Sequence, residues 1–244
     1  MSSIRKAEQV YYPGATNGGL PTATAEKPSQ MEYTKKVLDW VCVQLAITAA
    51  FCFVTYSNRD SVIDYLAKNP GSVWFPVIVS FITLFCMYKT EDTETRKCMF
   101  FVFTFAMSGM VSVSVLQYSP DVVFKAVMTT AIMVFAINRY SKRAAERGER
   151  MDKMAEVGGS LLLVLIVVSI LQIFIRSSIL GLVICIMGIG IFTILLMADL
   201  NRIYQKDEDF QEDPMLAAIG IYLDIVNLFL YLLELYNRCE GKGN

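Results

Sequence analysis

Seven apolar stretches divide the chain, at 37–56, 73–88, 98–117, 122–138, 157–175, 179–198 and 220–236. Each is close to the roughly 17 to 25 residues that a helix needs to cross a bilayer, so the pattern predicts an all-α membrane protein. Polar links separate them. A loop with Arg59, Asp60 and Asp64 runs past Asn69, Pro70 and Gly71 into the second stretch, whose Pro76 falls in a first turn that tolerates proline. KTEDTETRK occupies 89–97, and RYSKRAAERGERMDKMAE occupies 139–156. Only Ser119, Pro120 and Asp121 part the third stretch from the fourth, which makes these two antiparallel neighbours. Residues 1–30, rich in Pro, Gly, Ser, Thr and Ala, read as a flexible tail, followed by a membrane domain at 31–237 and a short tail at 238–244.

The last stretch, GIYLDIVNLFLYLLELY, is almost a membrane span, yet it carries two carboxylates. At 3.6 residues per turn, Ala217, Gly220, Asp224, Asn227, Tyr231 and Glu234 stack on one face, and the other faces are Ile, Leu, Val and Phe. An ionised Asp facing lipid costs roughly 2.5 to 3.5 kcal/mol, so the stripe should turn toward protein or a water-filled cavity, and Asp224 needs a partner. Two readings of the stretch stand: a seventh span, or a re-entrant loop that returns Arg238 and Lys242 to the side it came from.

Composition supports the membrane reading: 55% of the 244 residues are hydrophobic, too many for a soluble globule to cover. A formal net charge of -1 argues against nucleic acid as a partner. Lys and Arg are unevenly distributed. With Lys125 assigned to a span, the N-terminal tail and the second, fourth and sixth links hold 16, against 5 on the other side. The positive-inside rule then places the N-terminus in the cytoplasm and, if the last stretch spans, the C-terminus across the membrane. Trp40 and Asp39 fall where interfacial groups belong. The opening residues lack the apolar core of a signal peptide, so the first span should direct insertion. The six cysteines show no metal-ligand spacing and read as small core hydrophobes. Glycines in the fifth and sixth spans, Gly158, Gly159, Gly181, Gly188 and Gly190, suit close helix packing. With no histidine present, any pH response falls to carboxylates.

One further carboxylate stands out. The sixth stretch ends MADLNRIYQKDEDFQEDP, placing Asp199 where the apolar run stops. It is either an interfacial charge solvated by headgroups or the partner of Asp224, since the two lie on consecutive helices joined by a short acidic link.

ADLNRI, the acidic link and AAIGIYLDIVNLFLYLLELY together resemble the C-terminal signature of the transmembrane Bax inhibitor motif family. YTKKVLDWVCVQLAIT at the first span is similar to its Lifeguard and Golgi anti-apoptotic branch, as is FVFTFAMSG in the third, so the resemblance covers 31–237. It implies six transmembrane helices around a central, more polar seventh. It also implies a pH-sensitive calcium leak channel of endoplasmic reticulum or Golgi membranes that suppresses cell death. The family's gating aspartates fall on Asp199 and Asp224, which would share a proton when the pore is shut and bind calcium transiently when it is open. Asn227 and Glu234 extend the stripe as pore-lining residues. No cofactor is called for; the partners are the bilayer, calcium as permeant ion, and membrane proteins of cell-death regulation. Two departures stand out: Ala198 replaces the Tyr common before the sixth-helix aspartate, and FCMYKTEDTETRK lacks a clear counterpart to an Arg that pairs with it in bacterial relatives, with Lys89 and Arg96 the nearest substitutes.

Two other classes compete. An intramembrane aspartyl protease also uses two aspartates on late helices, but the contexts here are MADLN and IYLDI, with no GxGD and no later PAL, so the chain reads as a non-enzyme. A non-conducting regulator would act through partner proteins bound to the tail or the fourth link.

Overall fold

The computed structural model describes residues 29–205 and 213–240. Most of the tail assigned to 1–30, the acidic residues of the sixth link at 206–212, and 241–244 lie outside them. Among the described residues eight α-helices follow in order: α1 Gln30–Ser57, α2 Arg59–Lys68, α3 Trp74–Lys89, α4 Thr93–Val115, α5 Pro120–Glu146, α6 Asp152–Ile175, α7 Ser178–Tyr204 and α8 Pro214–Glu240. A 3₁₀ turn, Pro70–Val73, leads into α3, and no strand occurs among the described residues.

Local chemistry sets the helix ends. Ser29, Asp92, Ser119 and Ser177 each cap a helix by accepting a backbone N–H from its first turn. Pro120 opens α5, where its missing N–H costs nothing. Gly148, at φ 75°, lets the chain leave α5 in the left-handed region.

Among the described residues seven helical segments are long and apolar enough to cross a membrane: α1, α4, α5, α6, α7, α8, and α3 taken together with the 3₁₀ turn before it, Pro70–Lys89. Phe53, Phe81, Phe124, Phe135 and Phe174 are exposed on them, which suits hydrocarbon and not water. The last stretch is resolved in favour of a span: α8 runs unbroken for 27 residues, about 40 Å at 1.5 Å per residue, with no turn where a re-entrant loop would fold back. Polar residues 59–68, read from the sequence as loop, instead form α2. Its Val62 and Leu66 are half-buried one turn apart, and Lys68 pairs with Asp64 at 2.6 Å, so a short amphipathic helix is worth forming there.

Helix α8 packs against α1, α4, α5 and α7, while α3 packs on α4 and α6 on α7. It is the most enclosed span, with 56% of its apolar window buried against 39% or less in every other. A polar stripe belongs on such a helix, because protein and not lipid then faces it.

Candidate functional site

Asp224 lies ten residues into α8, about 15 Å along its axis and so near the middle of a span. It is only 7% exposed, and its Oδ2 has no hydrogen-bond partner. Asp199, five residues from the end of α7, is half-buried and reaches α8 one turn from Asp224. Gly220, one turn before Asp224, makes room for it: a Cβ there would stand 2.9 Å from Asp199 Oδ2. A cavity of about 510 Å³ opens at Asp199 and Gly220, and Gln30, Tyr33, Arg150 and Arg202 also line it. It gives Asp199 a polar approach, while the buried Asp224 is not part of its lining.

The end of the bundle around this cavity is tied together from several helices. Gln30 Nε2 and Thr34 Oγ1 both donate to the Ile203 carbonyl at 2.6 Å, fastening α1 to α7. Asn201, buried on α7, accepts from the Met151 N–H at 3.2 Å and donates to the Glu149 carbonyl at 3.1 Å, clamping the α5–α6 link. Arg96 is an unforeseen strut. It pairs with Asp213 at 2.5 Å and also donates to the Thr90 carbonyl, so it bridges the α3–α4 link to the start of α8. Lys89 instead places its ammonium 4.5 Å over the Phe85 ring.

The other stripe residues sit deeper along α8. Asn227 is half-buried and donates to the Leu223 carbonyl at 2.8 Å, one turn back. Glu234 accepts from the Tyr118 hydroxyl at 2.7 Å and lies 2.7 Å from Arg238 Nε, an ion pair in which that N–H is not aimed at the oxygen. Tyr231 stacks on Phe192, with ring centroids 5.7 Å apart, over Gly188. Asp39 stays exposed on α1.

A second polar cluster, unforeseen from sequence, crosses the core between α1, α4 and α8. Thr48 Oγ1 is 2.9 Å from both Ser108 Oγ and Tyr222 OH, and Gln44 Nε2 donates to Thr104 Oγ1 at 3.2 Å. The signal was present as polar residues four apart in two apolar stretches, Gln44 with Thr48 and Thr104 with Ser108.

Among the described residues, no group of three or more His, Cys, Asp or Glu could hold a metal. Two carboxylates fall short of the six to eight oxygens that Ca²⁺ takes in a resident site.

Fold and site together define a multi-pass helical membrane protein whose most enclosed helix carries a sealed carboxylate beside a second one at a polar cavity. Comparison with known proteins gives the family. The chain belongs to the Bax inhibitor family, since the family model described as "Inhibitor of apoptosis-promoting Bax1" matches residues 30–240. Among its relatives, Protein LIFEGUARD 4 of Arabidopsis thaliana is 24% identical over 93% of both chains. The Golgi anti-apoptotic protein of vaccinia virus (strain Lister) is 26% identical over 93% of both. An uncharacterized membrane protein of Streptococcus pyogenes serotype M1 is 23% identical over 85% of this chain and 93% of its own.

Proposed function

We propose that this protein is a calcium leak channel of an intracellular membrane, opened and closed by the protonation of Asp199 and Asp224. The observation that carries the reading is Asp224 itself: a carboxylate 7% exposed in the middle of a span, with an unpartnered oxygen and a second carboxylate nearby. Two such groups in a site of low dielectric hold a proton between them, and that shared proton ties α7 to α8. Losing it leaves two like charges that push the helices apart and offer hard oxygen ligands to a calcium ion arriving through the polar cavity. Calcium is the cargo here, and the reading calls for no cofactor and no catalysis. Asn227 and Glu234 continue the path along α8. The excess of Lys and Arg supports a cytoplasmic N-terminus, and the name of the vaccinia relative supports a Golgi or neighbouring endoplasmic reticulum address.

Calcium flux into liposomes holding the purified protein tests this. Flux should rise with pH in the wild type and lose that dependence in Asp224→Asn and Asp199→Asn. A fully pH-responsive Asp224→Asn variant overturns the gating role.

A second reading is supported by the anti-apoptotic names of the relatives: a regulator that suppresses cell death through membrane partners without conducting. Wild-type liposomes that pass no calcium at any pH, with death suppression intact in cells, would select it over the channel.

A further inference from the structure

Helices α1 and α5 both pack on α8, and a cleft of about 680 Å³ lies between them. Ile221 and Ile225 of α8 form part of its floor, and the walls run from Leu38 to Cys52 on α1 and from Val123 to Asn138 on α5. Its volume is in the roughly 300–1,000 Å³ range of ligand-sized sites, and the rise of α1 from Leu38 to Cys52 gives it a length of about 21 Å. Cys42, Ala131 and Phe135 in its walls are exposed, so the cleft opens sideways, toward the bilayer.

Its lining does not suit an ion or a polar solute. The few polar side chains are engaged inside the bundle: Thr48 with Ser108 and Tyr222, Thr130 with the Ala126 carbonyl at 2.7 Å, and the Asn138 oxygen with the Tyr204 hydroxyl at 2.7 Å. An apolar space left empty loses dispersion contacts along its whole wall, so within a membrane a hydrocarbon chain fills it.

Charge differs between the two ends. Lys35 stands one turn before Leu38, and Lys142 one turn beyond Asn138, both exposed at the same end of the cleft. Asp39 is exposed one turn beyond Lys35 on α1 and lies outside the cleft's lining. At the opposite end the cation of α5, Lys125, is held by Glu240. A phosphate therefore finds open ammonium groups at one end only.

We infer that this cleft binds one acyl chain of an anionic phospholipid drawn from the surrounding bilayer, with Lys35 and Lys142 holding its headgroup. The site is separate from the aspartate pair and does not depend on ion conduction.

Native mass spectrometry of the purified full-length chain, titrated with phosphatidylserine and with phosphatidylcholine of the same chain length, tests it. One phosphatidylserine should stay bound after looser lipids are stripped. Ala131→Trp, which fills the cleft from an exposed position, should weaken that lipid at least tenfold. Ala49→Trp, from the α1 wall, should do the same and covers the case in which the first variant folds poorly. The double variant Lys35→Gln, Lys142→Gln should cut the preference for phosphatidylserine about 25-fold, near fivefold per lysine, while sparing phosphatidylcholine. Equal lipid number and affinity in the wild type and both Trp variants, or equal binding of the two lipids by the wild type, overturns the inference.

Discussion

The Asp199 carboxylate occupies the space that a side chain would take at Gly220, where a Cβ would stand 2.9 Å from Oδ2. Glycine at this position is therefore a seat for the α7 carboxylate, one helical turn from Asp224.

Gly220→Ala should separate gating from stability. The clash is with the end of a short side chain that can turn aside, and alanine improves helix propensity by up to about 1 kcal/mol, so the melting temperature should hold or rise. Displacing Asp199 should nevertheless change the pH profile of calcium flux. A profile that overlays the wild type would show that Gly220 does not position the pair.

Arg96 and Asp213 are 18% and 21% exposed, enough shelter for their pairing to matter. Asp213 also accepts the Met215 N–H at 2.8 Å, so it anchors the first turn of α8. Arg96→Met strands that carboxylate and should cost about 1 to 3 kcal/mol in thermal unfolding in detergent. Adding Asp213→Asn should recover part of the loss; strictly additive losses in the double-mutant cycle would mean the pair is not coupled.

Two glycines of α7 should respond in opposite ways. A Cβ at Gly188 would stand 2.7 Å from the Tyr231 ring, which is held by stacking on Phe192. Gly188→Ala should thus destabilise by about 1 to 3 kcal/mol. Gly190 faces open space, and Gly190→Ala should be neutral or stabilising by up to about 1 kcal/mol. Melting temperatures of the two variants, measured side by side, check the packing of α7 on α8.

Acid should weaken the start of α4 through Asp92. The Thr95 hydroxyl and backbone N–H donate to its Oδ2 at 2.5 and 2.8 Å and hold its carboxyl below the ordinary range. A carboxyl lowered in this way stabilises the fold above its unfolded pKa of about 3.9, and the contribution is lost as pH falls through the lower folded value. The melting temperature of Asp92→Asn, which keeps a capping oxygen, should therefore fall less steeply below pH 4 than that of the wild type.

The spans were legible because a bilayer imposes one rule on each segment separately: enough apolar residues in a row. Asp224 was legible as an anomaly for the same reason. The fate of Arg96 was not, because its partner Asp213 is 117 residues away and nothing local ties the two together. Helix α2 escaped notice since its alternation is short and its charges resemble a loop. Tyr118 and Glu234, 116 residues apart, likewise meet only because α8 packs beside the α4–α5 turn.

By itself, then, the sequence determined which segments enter the membrane, that Gly220, Asp224, Asn227 and Glu234 share one helical face, and that Asp224 requires shelter. These follow from periodicity and from the cost of charge in hydrocarbon. Only the tertiary structure decided that α8 is the most enclosed helix, that Asp199 rests against Gly220, and that a lipid-facing cleft opens between α1 and α5. Each of these depends on which faces of distant helices meet, and that choice is made by packing complementarity across the bundle and not by any one stretch of chain.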